Sequence, residues 1–548
     1  MSSTPVQRIN DLAERDEEPD TKSVLRSVLM ALNETRDGTF REKCFDVMEV
    51  DNAEDFVCKL RQRMNCFMED RDNESTARLD ISALLMSARA TRFVGGFSIC
   101  QQRHYENIDS YVCVCSADSC DTIEPLGELD KDNAVVYSTG IKSDRLNRST
   151  VPLTSISTED VRVRIFPTKR FQTIFGFGGA LTDSSMIVLN ETIGLNVKLG
   201  NQLIRQYYGN DGLDYNLGRI PLASADFSTH IYSYLELEND WELKSFNFTE
   251  IDHYKVCIWT SPQYLFFRLL FLRRIINETD GKLRLFSSPW SAPAWIKDSN
   301  SMLSGKLKSL YKYKQLYARY FLREFVQVFL GPTLRANWLT KDIKIMAHDD
   351  ARSGIEDAAR KIYSNEHSFI DGLGVHWYSQ SSFDVLNNTH YLQPNKFILA
   401  KSAKLRCWMG KKSQHYVSVE KLQVDWNIWL DTFGGPNWIG NFVDSPIIVN
   451  STGEFYKQPM YYVLGHFSKF IQRDSQRIQI KIDGYEGKEN DNLEAVGFVT
   501  PDSNYVVVLH NRDGGKSFDL VVGVDGQTEK FAKVHMPPKT IKTVIWKS

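Results

Sequence analysis

Beyond residue 170 the chain repeats one local pattern, and nothing else in the sequence restricts the fold as much. Short apolar runs rich in β-branched and aromatic residues cover 213–221, 283–290, 343–350, 372–378 and 396–400. Longer stretches with helical spacing, such as 307–328, lie between them. A strand followed by a helix, repeated, brings each new strand back parallel to the last. Over this length the repeat predicts an α/β fold, a (β/α)8 TIM barrel. Polar and aromatic residues recur where the runs end: Asp183, Arg219, Trp290, Asp349, and His376 to Tyr378. In such a barrel the C-terminal strand ends build the site.

From about Ser475 the pattern changes. Runs at 478–482, 495–499, 505–509, 518–522 and 542–546 are short and separated by turn residues such as Asp502-Ser503-Asn504. This predicts an all-β sandwich. Residues 161–166 alternate cleanly and read as a further strand. A chain of 548 residues is too long for one small core, so more than one domain is expected. The net charge of -3 points to no nucleic acid or other polyanion. The longest apolar run, 264–272, is broken by Arg268, and a membrane span takes roughly 20 apolar residues. No transmembrane segment is expected.

Of nine cysteines, Cys100, Cys113, Cys115 and Cys120 cluster. Such a cluster fits either a metal site or two short-loop disulfides. There is no CxxC pair and no histidine at ligand spacing, which argues against zinc, and no metal site is assigned. Disulfides fit a secreted or lysosomal protein. The acidic first twenty residues, with no signal-peptide core, point the other way. Residues 1–97 are charged and irregular and form an extension of unknown role.

Two stretches have the composition of a sugar site. Residues 425–470 hold Trp426, Trp429 and Trp438 beside Asn427, Asn437 and a Gly434-Gly435-Pro436 turn. Indole faces accept the CH face of a pyranose, and amides serve its hydroxyls. The same residues also fit a core beside a loop. In residues 175–183, glycines after an apolar run let the backbone turn sharply next to a ligand. No phosphate-loop or dinucleotide spacing is present. Asp183 there either holds sugar hydroxyls or caps a helix starting at Ser184.

Taken in order, FGFGGALTDSS, YNLGRIPLASADFS, FSSPWSAPAWIK, LGPTLR, GVHWY, DWN, GGPNWIGNFVDSPIIV and FYKQPMYYVLGHFSKFI resemble the glucosylceramidase (acid beta-glucosidase) family of retaining glycoside hydrolases. YVCVCSADSCD resembles that family's disulfide segment. The resemblance covers roughly residues 98–548. It implies Cys100–Cys113 and Cys115–Cys120 pairing, and a Cys-rich segment at 98–165 contributing strands to the sandwich. It implies a barrel at 166–465 and the rest of the sandwich at 466–548. It implies cleavage of β-glucose from glucosylceramide in sphingolipid metabolism, at a membrane surface, with a saposin-like activator and without metal or organic cofactor. It places the protein in the lysosome or outside the cell. The implied sugar pocket is Asp183, Trp290, His376, Trp377, Tyr378, Trp426 and Asn437.

The sequence departs from this family where the chemistry should be. A retaining glycosidase needs two carboxyl groups about 5 Å apart, one an acid/base and one a nucleophile. The acid/base segment, T-x-x-N-E-P, has no counterpart: residues 320–325 run almost directly into 330–334. The nucleophile position is occupied by Ser402, beside Lys401, and a serine is a poor anomeric nucleophile. Residues 404–423 are shorter than the family pattern, and 256–272 are inserted. Glu324 and Glu420 fall on helix-like stretches and read as solvated; Asp349 and Asp350 read as pocket support. No catalytic residue is therefore matched, and the barrel is incomplete as written. The alternative reading is a non-catalytic glucosylceramide- or glycan-binding pseudoenzyme, or a chain read from a mis-joined gene. A barrel lacking its fourth strand is expected to expose the edges of that strand's neighbours.

Overall fold

A computed structural model describes residues 99–155, 161–247, 249, 252, 270–322, 346–363, 372–376, 384–401, 422–484, 492–527 and 530–548. Trp377, Tyr378, Ser402, Glu324 and Glu420 lie outside the described residues.

Seven parallel strands form the barrel sheet. Their order is Arg284–Pro289, Leu217–Leu222, Gly176–Ala180, Leu422–Asn427, Phe397–Lys401, Gly372–His376 and Met346–Ala351. The first and last of these are consecutive barrel strands in the chain. Among the described residues they do not pair with each other, so each has a neighbour on one side only. Residues 323–345, which separate these two strands in the chain, lie outside the described residues. Glycines let the inner strands approach closely. A Cβ on Gly178 would stand 2.2 Å from the Leu217 carbonyl oxygen. Helix Asp183–Leu195 follows its strand directly. Its cap is Thr182, whose side chain accepts from the Ser185 N–H, so Asp183 is the first helical residue rather than the cap.

The β-sandwich domain closes on itself. Nine strands run in the order Gln476–Asp483, Leu493–Val499, Asn504–Asn511, Thr540–Lys547, Asn133–Gly140, Arg145–Thr154, Phe531–Met536, Phe518–Val524 and Val161–Thr173, the last pairing with the first. Alternation sets the faces. Val161, Val163 and Ile165 are buried, while Arg162 and Arg164 between them are not, and Arg164 pairs with Asp483 and Asp525.

A third, five-stranded sheet has the order Gln101–His104, Tyr111–Cys115, Glu454–Lys457, Ile447–Asn450, Trp429–Asp431. The cysteine-bearing strands belong here. Within 98–165, strands Asn133–Gly140, Arg145–Thr154 and the start of Val161–Thr173 join the sandwich, whereas Cys113 and Cys115 pair with Lys457 and Phe455. Disulfides join Cys100 to Cys113 and Cys115 to Cys120. Lys457, fully buried, bonds to Asp121 Oδ1 and Gln206 Oε1, each at 2.8 Å. Tyr462 donates to the other Asp121 oxygen at 2.8 Å. One buried ion pair thus ties the small sheet to helices Val197–Tyr208 and Pro459–Ser468. Burial pulls the Lys457 ammonium below its usual pKa, and Asp121 opposes that.

Candidate active site

The strand ends bring two tryptophans together. Trp290 follows strand Arg284–Pro289, and Trp426 lies near the end of Leu422–Asn427. Their rings stack with centroids 4.8 Å apart and planes 15° apart. The buried Arg219 guanidinium lies 4.8 Å from the Trp290 ring centre and 5.0 Å from that of Trp426. It donates to Ser288 Oγ at 3.2 and 2.9 Å. A cation at that distance from two ring centres is attracted to both rings. Rings 4.8 Å apart touch, so no sugar fits between them. A pyranose face can lie only on an outer face, and Trp290 is 38% exposed.

The next carboxyl is one the sequence motifs did not single out. Asp226 lies in the loop after strand Leu217–Leu222. Its Oδ1 is buried, and no hydrogen-bond donor among the described residues reaches it. Burial raises the Asp226 carboxyl above its ordinary pKa; Asn441, backbone N–H groups and the Arg219 charge pull it back. The neighbouring Phe227 ring sits edge-on to Trp426, with centroids 6.2 Å apart. Asp183, by contrast, is 1% exposed. Its Oδ2 accepts from Ser228 Oγ at 2.5 Å and Tyr232 OH at 2.8 Å, so it faces the Asp226 loop from inside. The signal for Asp226 was its place just past a strand end, inside YNLGRIPLASADFS.

The three tryptophans of 425–470 have separate roles. Trp429 is fully buried and donates to Ser185 O, so it is core. Trp438 donates to Ala225 O at 2.7 Å and ties its own loop to that of Asp226. Trp426 is the one in the ring pair. Asn437 spends its amide on its own loop, donating to Gly434 O at 3.2 Å and accepting from Asn441 N at 2.8 Å. The side chain of this loop that lowers the Asp226 carboxyl pKa is that of Asn441. Asp425, preceding Trp426, is coupled electrostatically to the buried Tyr207 and Tyr215. Burial pushes its carboxyl up to about 6, against a bond from Trp426 N at 2.8 Å. His376 ends strand Gly372–His376, half-buried, opposite Ala351 and Lys401 in the ladder. The positions expected for the two catalytic carboxylates fall within 323–345 and 402–421, outside the described residues.

Comparison with known proteins agrees with this arrangement. The glycosyl hydrolase family 30 TIM-barrel domain matches in three pieces, residues 174–324, 321–423 and 419–471. The pieces meet at the two places where the motifs break. The family's beta sandwich domain matches residues 474–544. Putative glucosylceramidase 3 of Caenorhabditis elegans is 34% identical over 504 residues, covering 80% of this chain and 92% of that protein. Lysosomal acid glucosylceramidase of Mus musculus is 29% identical over 508 residues, covering 80% and 94%. Among solved structures, SrfJ from Salmonella typhimurium has a TM-score of 0.60 at 22% identity, covering 76% of this chain and all of that one. An endo-beta1,6-glucanase has a TM-score of 0.59 at 20% identity, which shows the same fold. The barrel and sandwich matches and the 34% identity make this chain a member of glycosyl hydrolase family 30, a glycosidase by family.

Proposed function

We propose that the chain takes the terminal β-glucose of glucosylceramide on the outer face of Trp290, with Asp226 and Asn441 holding hydroxyls. The observation that carries this reading is the Asp226 carboxyl, whose buried Oδ1 lacks a donor among the described residues and which feels the charge of Arg219, the guanidinium lying over Trp290. A buried acceptor without a donor is costly, and a sugar hydroxyl is a donor of the right kind. The substrate class is supported by the relatives, which carry the name glucosylceramidase. Two disulfides and the lysosomal mouse relative support a lysosomal or secreted protein. Among the described residues no helix is long and apolar enough to cross a membrane.

A second reading is binding without turnover. Ser402 stands at the nucleophile position, and the family match breaks at 321–324 and 419–423. A serine there supplies no carboxylate to form a glycosyl-enzyme. The test uses the purified full chain with a fluorogenic β-glucoside and, separately, with the glucose-shaped iminosugar deoxynojirimycin. Release of fluorophore supports hydrolysis. Saturable iminosugar binding without release supports the second reading. Neither release nor binding sinks both.

A further inference from the structure

We propose that Arg170, Arg477, Arg473 and Arg284, where the sandwich meets the starts of the barrel strands, form a docking strip for a sulfated polysaccharide. Residues 161–173 carry four basic residues and no acidic one; residues 469–481 carry four basic residues and one acidic one, Asp474. The two segments are neighbours. Strand Val161–Thr173 pairs with Gln476–Asp483, placing Arg170 opposite Ile478 and Thr173 opposite Gln476. The whole-chain charge of -3 averages this local excess away.

The arginines lie against two exposed rings, Phe171 and Phe175. The Arg477 guanidinium is 4.0 Å from the Phe171 ring centre. Those of Arg284 and Arg473 are 4.7 and 6.0 Å from the ring centre of Phe175. Two like charges thus share one ring. Burial, and then the charge of Arg284, lower the Arg473 pKa to about 10, against the pull of Asp474. Burial also lowers that of Arg477 to about 10, so both stay charged at neutral pH. The hydrogen bonds of these side chains go to neutral oxygens. Arg170 donates to Pro167 O and Gln476 Oε1, Arg477 to Gln172 Oε1, and Arg473 to the carbonyls of Phe175, Asn216 and Lys282. Among the described residues none of the four is in an ion pair, whereas Arg164 on the same strand is held between Asp483 and Asp525.

A purely solvated face does not require two guanidinium groups to be held together without a counterion. An oxyanion between them offsets that repulsion, and the guanidinium fork matches sulfate oxygens in pairs. The charges run along two paired strands, which suits a linear chain with repeated oxyanions better than a single phosphate. A bilayer anchor leaves its aromatic rings free, and here each ring carries a guanidinium. The disulfides favour an oxidising compartment and so a sulfated glycan over nucleic acid. Phe175 precedes strand Gly176–Ala180 and Arg284 begins Arg284–Pro289, so the strip lies at the end of the barrel strands opposite Trp290 and Trp426. Docking there leaves the candidate site open.

The test is binding of fluorescein-labelled heparin to the full chain, read by anisotropy at increasing salt. Arg170 and Arg284 are exposed, so the double variant Arg170→Gln/Arg284→Gln should keep its urea midpoint. It is expected to bind heparin at least about tenfold more weakly, with a salt dependence flattened by about two counterions. Arg170→Lys/Arg284→Lys keeps the charges and loses the forks, so it should keep the salt dependence and recover part of the affinity. No heparin binding by the full chain, or equal binding by the Gln variant, overturns the proposal. Loss of binding to vesicles of pure phosphatidylserine in the Gln variant, with heparin binding unchanged, also overturns it and makes the strip a membrane contact.

Discussion

The sandwich and the barrel meet the same structural demand with opposite results. In the sandwich every one of nine strands has neighbours on both sides, and the ring closes although its strands come from 133–173 and 476–547. In the barrel sheet two strands, Arg284–Pro289 and Met346–Ala351, have a neighbour on one side only among the described residues. Closure of the sandwich therefore does not rest on nearness in the chain. The site residues fall on one run of the barrel sheet. Arg284–Pro289, Leu217–Leu222, Gly176–Ala180 and Leu422–Asn427 are four consecutive strands, and they carry or precede Trp290, Arg219, Asp226, Asp183 and Trp426. This side, proposed above to recognise the sugar, is continuous. The expected acid/base position falls within 323–345, outside the described residues, and the nucleophile position implied by the resemblance is Ser402, next after strand Phe397–Lys401.

The largest effect is expected where the continuous side is anchored. Lys457 is buried against Asp121, and Lys457→Met leaves that carboxylate uncompensated. Breaking a buried pair from one side costs about 3–5 kcal/mol. The urea midpoint should fall accordingly. A fall worth less than about 1 kcal/mol would show that the small sheet docks without this pair.

The fold was largely legible because its signals are local. Alternation at Val161–Phe166 and the strand–helix repeat both appear in the structure. The site was legible by position and less so by residue. Strand-end reasoning reached Trp290 and Arg219, and the aromatic stretch 425–470 held Trp426; the structure brings the three together. It stopped at Arg219 and passed over Asp226, seven residues on, because the loop geometry that turns a carboxyl inward has no one-dimensional signature. The same limit applies to Asn437 and Asn441. Both sit in one motif, and only the fold shows which of them the loop consumes.

The two domains should also titrate in opposite directions. In the barrel, the Asp425 carboxyl is pushed up to about 6, above an unfolded value near 4. The folded state holds that proton more tightly, so the contribution is present at acid pH and lost as pH rises through about 6. Against the sandwich strands, His466 lies 2.8 Å from Thr543 Oγ1 and 2.9 Å from Thr139 Oγ1, and burial lowers its pKa to about 3. There the unfolded state binds the proton first, so stability falls as pH drops from about 6.5 towards 3. Asp425→Asn should remove a loss on the order of 2–3 kcal/mol between pH 4 and 7, and His466→Gln a loss on the order of 2 kcal/mol at pH 5. Urea midpoints across pH 4–7 should separate for the two variants in opposite senses. Parallel curves would mean that neither group is shielded from water in the folded state.

The smallest effect belongs to the strand at the edge of the gap, and it tests whether recognition survives there. Trp290 is exposed enough to serve a ligand and is held by contact with Trp426 and Arg219. Trp290→Ala removes the open indole face, so deoxynojirimycin binding should fall roughly tenfold, about 1–2 kcal/mol. Because the ring is partly outside the core, the melting temperature should move by only about 2–4 °C. Trp290→Phe keeps a ring and should recover part of the affinity. A large drop in melting temperature with the same affinity loss would make the ring a packing element of an open edge. Unchanged affinity would put the sugar elsewhere, and the continuous half of the barrel would then have no recognition role.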